Sequence, residues 1–136
     1  MPVSTTAAPP ASLIVNADDF GYSEGVSGGI LEAARDGIVT ATGILANRPH
    51  FERHVRELLS LDRIDAGVHL DLTAGKPLTG RFAAELANVA GGAPPEKFRL
   101  AVAVLSGRIR SDAVEEEWDA QIRRCLSAGV RVRFLN

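Results

Sequence analysis

Short β-branched apolar runs alternate along the chain with longer stretches of helical spacing. Leu13-Ile14-Val15 opens a first strand, which ends abruptly in Asp18, Asp19 and Gly21. Ser23 can cap a helix reaching Asp36, with Val26, Ile30, Ala33 and Ala34 on one face and Gly37 as its stop. Residues 38–46 form a second buried strand, and Pro49 opens a helix striped by Phe51, Val55, Leu58 and Leu59. Over 65–73 the alternation predicts a third strand: Ala66, Val68, Leu70 and Leu72 share one face, Gly67, His69 and Asp71 the other. Helical spacing then predicts a short helix over 82–90 and another opened by Pro95, with Phe98, Val102 and Leu105 as its stripe. Ser111 or Asp112 caps a last helix, where Asp112 with Glu115 fits a capping box. Its apolar face is Val114, Trp118, Ile122 and Cys125, and Gly129 closes it. Residues 130–135 begin a fourth strand.

Strands separated by helices predict parallel βα units, hence an α/β fold. In such a sheet the carboxyl ends of the strands open on one edge, where ligands bind. The pattern stops on a strand with no covering helix, so the sheet is expected to be the first half of something larger, truncated at Asn136. A sheet left so would expose an apolar face or edge.

Composition narrows the classes. Of 136 residues, 46% are hydrophobic, enough for one domain with a real core. That domain is expected over 13–136, after a loose arm at 1–12 rich in Ala, Pro, Ser and Thr. Net charge is -2, and no basic stripe interleaves with aromatics, so nucleic acid is not an expected partner. One cysteine, Cys125, excludes an intrachain disulfide and falls in an apolar stripe, where it is expected to be inert. No signal-peptide pattern or membrane-spanning run occurs, and a cytoplasmic location is the expectation.

Two positions carry candidate chemistry. Adjacent carboxylates at the end of a buried strand are costly to desolvate and repel each other, so Asp18 and Asp19 point to a site rather than to stability. Strand alternation would aim them apart. A simple Asp-Gly turn is the plainer explanation. His69, late in the third strand and facing away from its apolar set, shares the strand edge with the pair, although fifty residues separate them. Alone, it would be a core histidine bonded to a carbonyl. Asp71 could orient that imidazole or be a simple surface acid. Gly25, Gly28 and Gly29 suggest close approach by another backbone or a ligand, although their spacing fits no phosphate-binding fingerprint. His50 and His54 lie four apart without the glutamate of a helical zinc motif, and are expected at the surface.

Residues 13–21, Leu-Ile-Val-Asn-Ala-Asp-Asp-Phe-Gly, resemble the opening motif of the YdjC-like carbohydrate deacetylases. Residues 67–78, Gly-Val-His-Leu-Asp-Leu-Thr-Ala-Gly-Lys-Pro-Leu, resemble that family's second motif. The 37–43 segment and the helix from Glu117 to Gly129, with Gln121, fit its spacing. The resemblance implies a distorted (β/α) barrel and a metal-dependent hydrolase that removes the acetyl group from an N-acetylated sugar or sugar conjugate. It implies Asp18 as general base, with Asp19 and His69 as ligands of a divalent metal, magnesium first, zinc or manganese otherwise. The family's third ligand is a histidine after a later strand, here beyond Asn136, so weak metal binding is expected of residues 1–136. A homodimer is suggested by the family and by the unfinished sheet. Two other classes stay open: a non-catalytic fragment or pseudoenzyme that binds carbohydrate or a partner chain, and a metal phosphohydrolase using the same acidic strand end.

Overall fold

The computed structural model describes residues 12–90 and 96–136; the expected arm and the Pro95 helix start fall, apart from Ser12, outside them. Four strands, β1 (Asn16–Phe20), β2 (Ala41–Ile44), β3 (Asp65–Val68) and β4 (Val132–Leu135), form one parallel sheet in the order β1-β2-β3-β4. Between them run α1 (Glu24–Arg35), α2 (Phe51–Leu59), α3 (Gly80–Ala90), α4 (Lys97–Leu105) and α5 (Ser111–Ser127). The α/β class follows from these crossovers, since parallel neighbours need a long connection.

The strands are shorter than their apolar runs. Leu13 and Ile14 are exposed, and the ladder of β1 starts at Asn16, so both acids lie inside the strand rather than after it. On β1 the three steps from Ala17 to Phe20 match only two on β2, from Thr42 to Ile44. On β4 the three steps from Val132 to Leu135 match two on β3, from Ala66 to Val68. Each outer strand thus carries an extra residue opposite a regular inner one, and such bulges bend a strand over its neighbour. The inner pair makes room for this: Gly43 and Gly67 are register partners. A Cβ on Gly67 would strike the Phe134 ring, and one on Gly43 would strike the Asp18 carboxylate and the Asn136 amide.

One core cluster packs Phe20, Ile30, Ile44, Phe51, Leu58 and Val68 between the sheet and α1, α2 and α5. A second, of Phe82, Leu86, Leu100, Ala103, Ile109 and Val114, joins α3, α4 and the start of α5.

Several helical faces are rotated from their predicted stripes. On α1 the buried residues are Ser27, Ile30 and Leu31, because the Ser27 hydroxyl turns inward to accept from the Gly21 amide at 3.0 Å. Its Ser23 cap accepts from Val26 N at 3.2 Å, as expected. Among the described residues nothing approaches Gly25, Gly28 or Gly29 within 4 Å of an added Cβ, which removes the close-approach explanation for them. On α4, Phe98 is 78% and Leu105 87% exposed, and Leu100 and Ala103 face the core instead. On α5 the buried row is Ala113, Val114, Glu117, Gln121 and Cys125, with Trp118 half-exposed. The predicted capping box there is absent: Arg110 is the N-cap without a side-chain bond, and Asp112 instead accepts from Arg81 and Arg110, both at 2.6 Å. His54 is buried rather than surface-exposed, with Nδ1 3.3 Å from the His50 carbonyl one turn back.

Candidate functional site

The carboxyl ends of β1, β2 and β3 bring together what the sequence separates. At the extra residue of β1 the backbone enters the left-handed region at Asp19 (φ 71°), a conformation that aspartate tolerates better than most side chains. The consequence overturns simple alternation: Asp18 and Asp19 do not diverge. The Oδ1 atoms of both lie 3.7 Å from Nδ1 of His69. Gly21 (φ 96°) then carries the chain out of the sheet, and an added Cβ there would sit 3.0 Å from the Leu45 carbonyl.

His69 follows β3 directly, and its amide still donates to the Ile44 carbonyl at 2.9 Å, so the residue continues the ladder. Its Nδ1 is a buried polar atom that, among the described residues, has no hydrogen-bond partner. At 3.7 Å from two carboxylate oxygens it is too far for a hydrogen bond. Asn47 Oδ1 and Arg48 Nε, just beyond β2, are buried without a partner in the same way. Buried unpartnered groups are rare, and among the described residues three fall at this one sheet edge.

Asp18 is held from two sides. Its Oδ1 accepts from Asn16 Nδ2 at 2.9 Å and from Asn136 Nδ2 at 3.0 Å. The second bond crosses from the first strand to the end of the fourth, passing over Gly43, and shows how far the sheet curls.

Asp71 neither orients His69 nor lies on the surface. It is buried, and its Oδ1 accepts from Thr73 N at 2.8 Å, Thr73 Oγ1 at 2.9 Å and Ala74 N at 3.1 Å, an Asx-type turn. Arg48 approaches its Oδ2 at 3.5 Å while lying over the Tyr22 ring, 4.6 Å from the centroid.

Sequence reasoning missed the support beneath this edge. Gln121, fully buried on α5, accepts from Asp71 N at 3.0 Å and donates to Asp71 O at 2.7 Å. One turn earlier, buried Glu117 accepts from Leu78 N at 2.9 Å, Thr79 N at 2.9 Å and Thr79 Oγ1 at 3.1 Å. Gln121 Nε2 also donates to Glu117 Oε1 at 3.0 Å. One helix therefore grips both ends of the 71–79 loop. The available signal was two polar residues four apart in an otherwise apolar row.

From His69 an open groove of about 540 Å³ runs between the loop and the helices, lined by Leu72, Leu100, Val104, Leu105 and Trp118. A smaller cavity of about 300 Å³ lies at the opposite end of the sheet, by Asp65, Arg131 and Arg133, away from the three candidate residues.

Asp19 and His69 offer an oxygen and an imidazole nitrogen to one point, a donor pair that suits a divalent cation. His69 Nδ1, lacking another partner, fits that use. Among the described residues no group of three or more His, Cys, Asp or Glu side chains is arranged to enclose a metal. None of their helices is long and apolar enough to cross a membrane.

Comparison with known proteins identifies relatives of the chain. A carbohydrate deacetylase of Geobacillus stearothermophilus is 40% identical over 121 residues, covering 89% of this chain and 46% of its own length. One from Halalkalibacterium halodurans is 39% identical over 127 residues, 91% of this chain and 51% of the relative. A crystal structure from Enterococcus faecalis V583, solved as a candidate cellobiose-phosphate cleavage protein, superposes with a TM-score of 0.73 at 31% identity, covering 90% of this chain and 46% of that one. The chain thus spans about half the length of the relatives it matches, and its curled parallel sheet is consistent with part of a barrel. The family model described as YdjC-like protein matches residues 12–136, and the chain belongs to that family.

Proposed function

We propose that this chain carries the general base and two metal-holding side chains of a carbohydrate deacetylase, an amide hydrolase that releases acetate from an N-acetylated sugar. The observation that carries the reading is His69 Nδ1, buried without a hydrogen-bond partner among the described residues and equidistant from Asp18 and Asp19. The deacetylase names of the relatives support it.

Asp19 and His69 would hold a divalent ion, with magnesium favoured over zinc or manganese. Such an ion polarises the acetyl carbonyl and makes a nearby water more acidic. The work of the chain itself is proton transfer and placement. With Asp18 Oδ1 occupied by two amides, its other oxygen is free to take the proton as water oxygen bonds to the acetyl carbon. That proton then passes to the sugar nitrogen as the C–N bond breaks, and the proton left on the attacking oxygen follows it, giving acetate and an ammonium group on the sugar. The apolar groove beside His69, with Trp118 on its wall, suits the hydrocarbon faces of a sugar ring.

The test is acetate release from N-acetylated chito-oligosaccharides by the purified chain supplemented in turn with magnesium, zinc and manganese. Asp18→Asn is expected to abolish it and Asp19→Asn to raise the metal requirement. Absence of acetate with every metal, from protein shown to be folded, would overturn the reading for this chain. One observation favours a second reading: no group of three or more donors is arranged to enclose a metal among the described residues. In that reading the chain binds carbohydrate or a partner chain without turnover, and saccharide binding without acetate release would identify it. A cytoplasmic location and a homodimer belong to the same proposal; the single buried, unpaired cysteine suits a reducing compartment.

A further inference from the structure

Three features meet at one point: a bulge in β1, a bulge in β4, and a glycine on β2, one of the two strands between them. Together they let Asn136 Nδ2 reach Asp18 Oδ1 at 3.0 Å across the face of two inner strands. Any side chain at position 43 would occupy the space where the two meet. The backbone of Asn136 is engaged elsewhere. Its amide donates to the Val68 carbonyl at 3.1 Å, and its carbonyl accepts from Leu70 N at 2.9 Å. Strand pairing is therefore secured without the side chain, which leaves the amide group free for another use.

We infer that Asn136 is a positioning residue for Asp18: its amide, lying over Gly43, fixes one carboxylate oxygen and leaves the other directed at the water to be deprotonated. The inference rests on the deacetylase reading for the reaction and on geometry alone for the positioning. Asn16 supplies a local bond to the same oxygen, two residues away on the same strand face, but a single contact leaves the carboxylate able to swing about it. Two donors from opposite ends of the sheet hold one rotamer. Preorganisation of this kind acts on the chemical step rather than on substrate capture.

The experiment uses the whole chain, metal-free, by NMR. Three-bond couplings from Asp18 Cγ to its own backbone report the side-chain rotamer. In the native protein they should show one rotamer. In Asn136→Ala they should average, while the Leu70 amide shift stays in place because its bond to the carbonyl of residue 136 remains. Gly43→Ala provides a second variant that deletes neither polar group: its methyl should displace the pair and average the same couplings. Couplings unchanged in both variants, or already averaged in the native chain, would overturn the inference.

With metal and an N-acetylated oligosaccharide present, Asn136→Ala should lower kcat at least about tenfold with KM nearly unchanged. An equal kcat, or a loss confined to KM, would also overturn it. If the native chain releases no acetate, the deacetylase reading fails, and the couplings still decide whether Asn136 positions Asp18.

Discussion

A buried thiol and a left-handed aspartate show how much one residue can report. Cys125 is fully buried, and burial pushes its thiol up to about 12. The folded state thus keeps a proton that the unfolded chain releases near 9, so the contribution to stability is whole below pH 9 and lost as pH rises toward 12. Over that window unfolding free energy should fall by about 1.4 kcal/mol per pH unit more in the native protein than in Cys125→Ala. Denaturant titrations at pH 8, 9.5 and 10.5 check this; parallel slopes would refute it. At pH 8 the same thiol should resist an aromatic disulfide reagent until the protein is unfolded. Asp112 behaves in the opposite sense. Hydrogen bonds from Arg110, then Arg81, hold its carboxyl below the usual range, so whatever it adds is present above about pH 4 and lost as pH falls. At this scale the sequence was legible for His69, because strict alternation over 65–72 placed it opposite an apolar set. It was not legible for the relation between Asp18 and Asp19. Alternation assumes a regular strand, and one inserted residue with positive φ undoes it.

Among the elements, α5 governs the site edge. Glu117 and Gln121 together take up the polar groups of Asp71, Leu78 and Thr79, which would otherwise be stranded in a partly buried loop. Glu117→Leu should cost about 2–5 kcal/mol, since it leaves two amides and a hydroxyl without their acceptor in a buried setting. Glu117→Gln, which keeps one acceptor oxygen, should cost less than half as much. Urea denaturation gives both values, and equal costs would show that the carboxylate is not gripping the loop. Hydrophobic pattern found this helix and its span. It found Val114 and Cys125 on the buried face, with Ile122 packed beside them, but left out Glu117 and Gln121, which look like solvent residues until the loop amides that satisfy them are seen. The error on α4 has a related origin. Phe98, Val102 and Leu105 form a regular apolar stripe, and nothing local shows that small Ala103 and Leu100 are the residues the fold encloses.

For the whole molecule, two apolar clusters share α5 but little else. Truncating Phe82 or Phe51, each almost wholly buried, should cost about 3–5 kcal/mol, yet with different consequences. Phe82→Ala should release amide protection in α3 and α4 while β1 to β3 stay protected. Phe51→Ala should lower protection throughout. Hydrogen exchange resolved by residue distinguishes these outcomes, and uniform loss in both variants would mean a single cooperative unit. The parallel sheet and its site edge were legible from the order of runs alone, since β-α-β spacing leaves few topologies. The curl of that sheet was not, because it depends on paired bulges and a glycine floor that no single strand reveals. The bond between Asp18 and Asn136 joins residues 118 positions apart. During synthesis the aspartate emerges from the ribosome long before its amide partner, so the nascent chain carries an unrestrained acidic pair until everything between them has been made. The carboxylate's surroundings are therefore complete only where β4 is paired with β3.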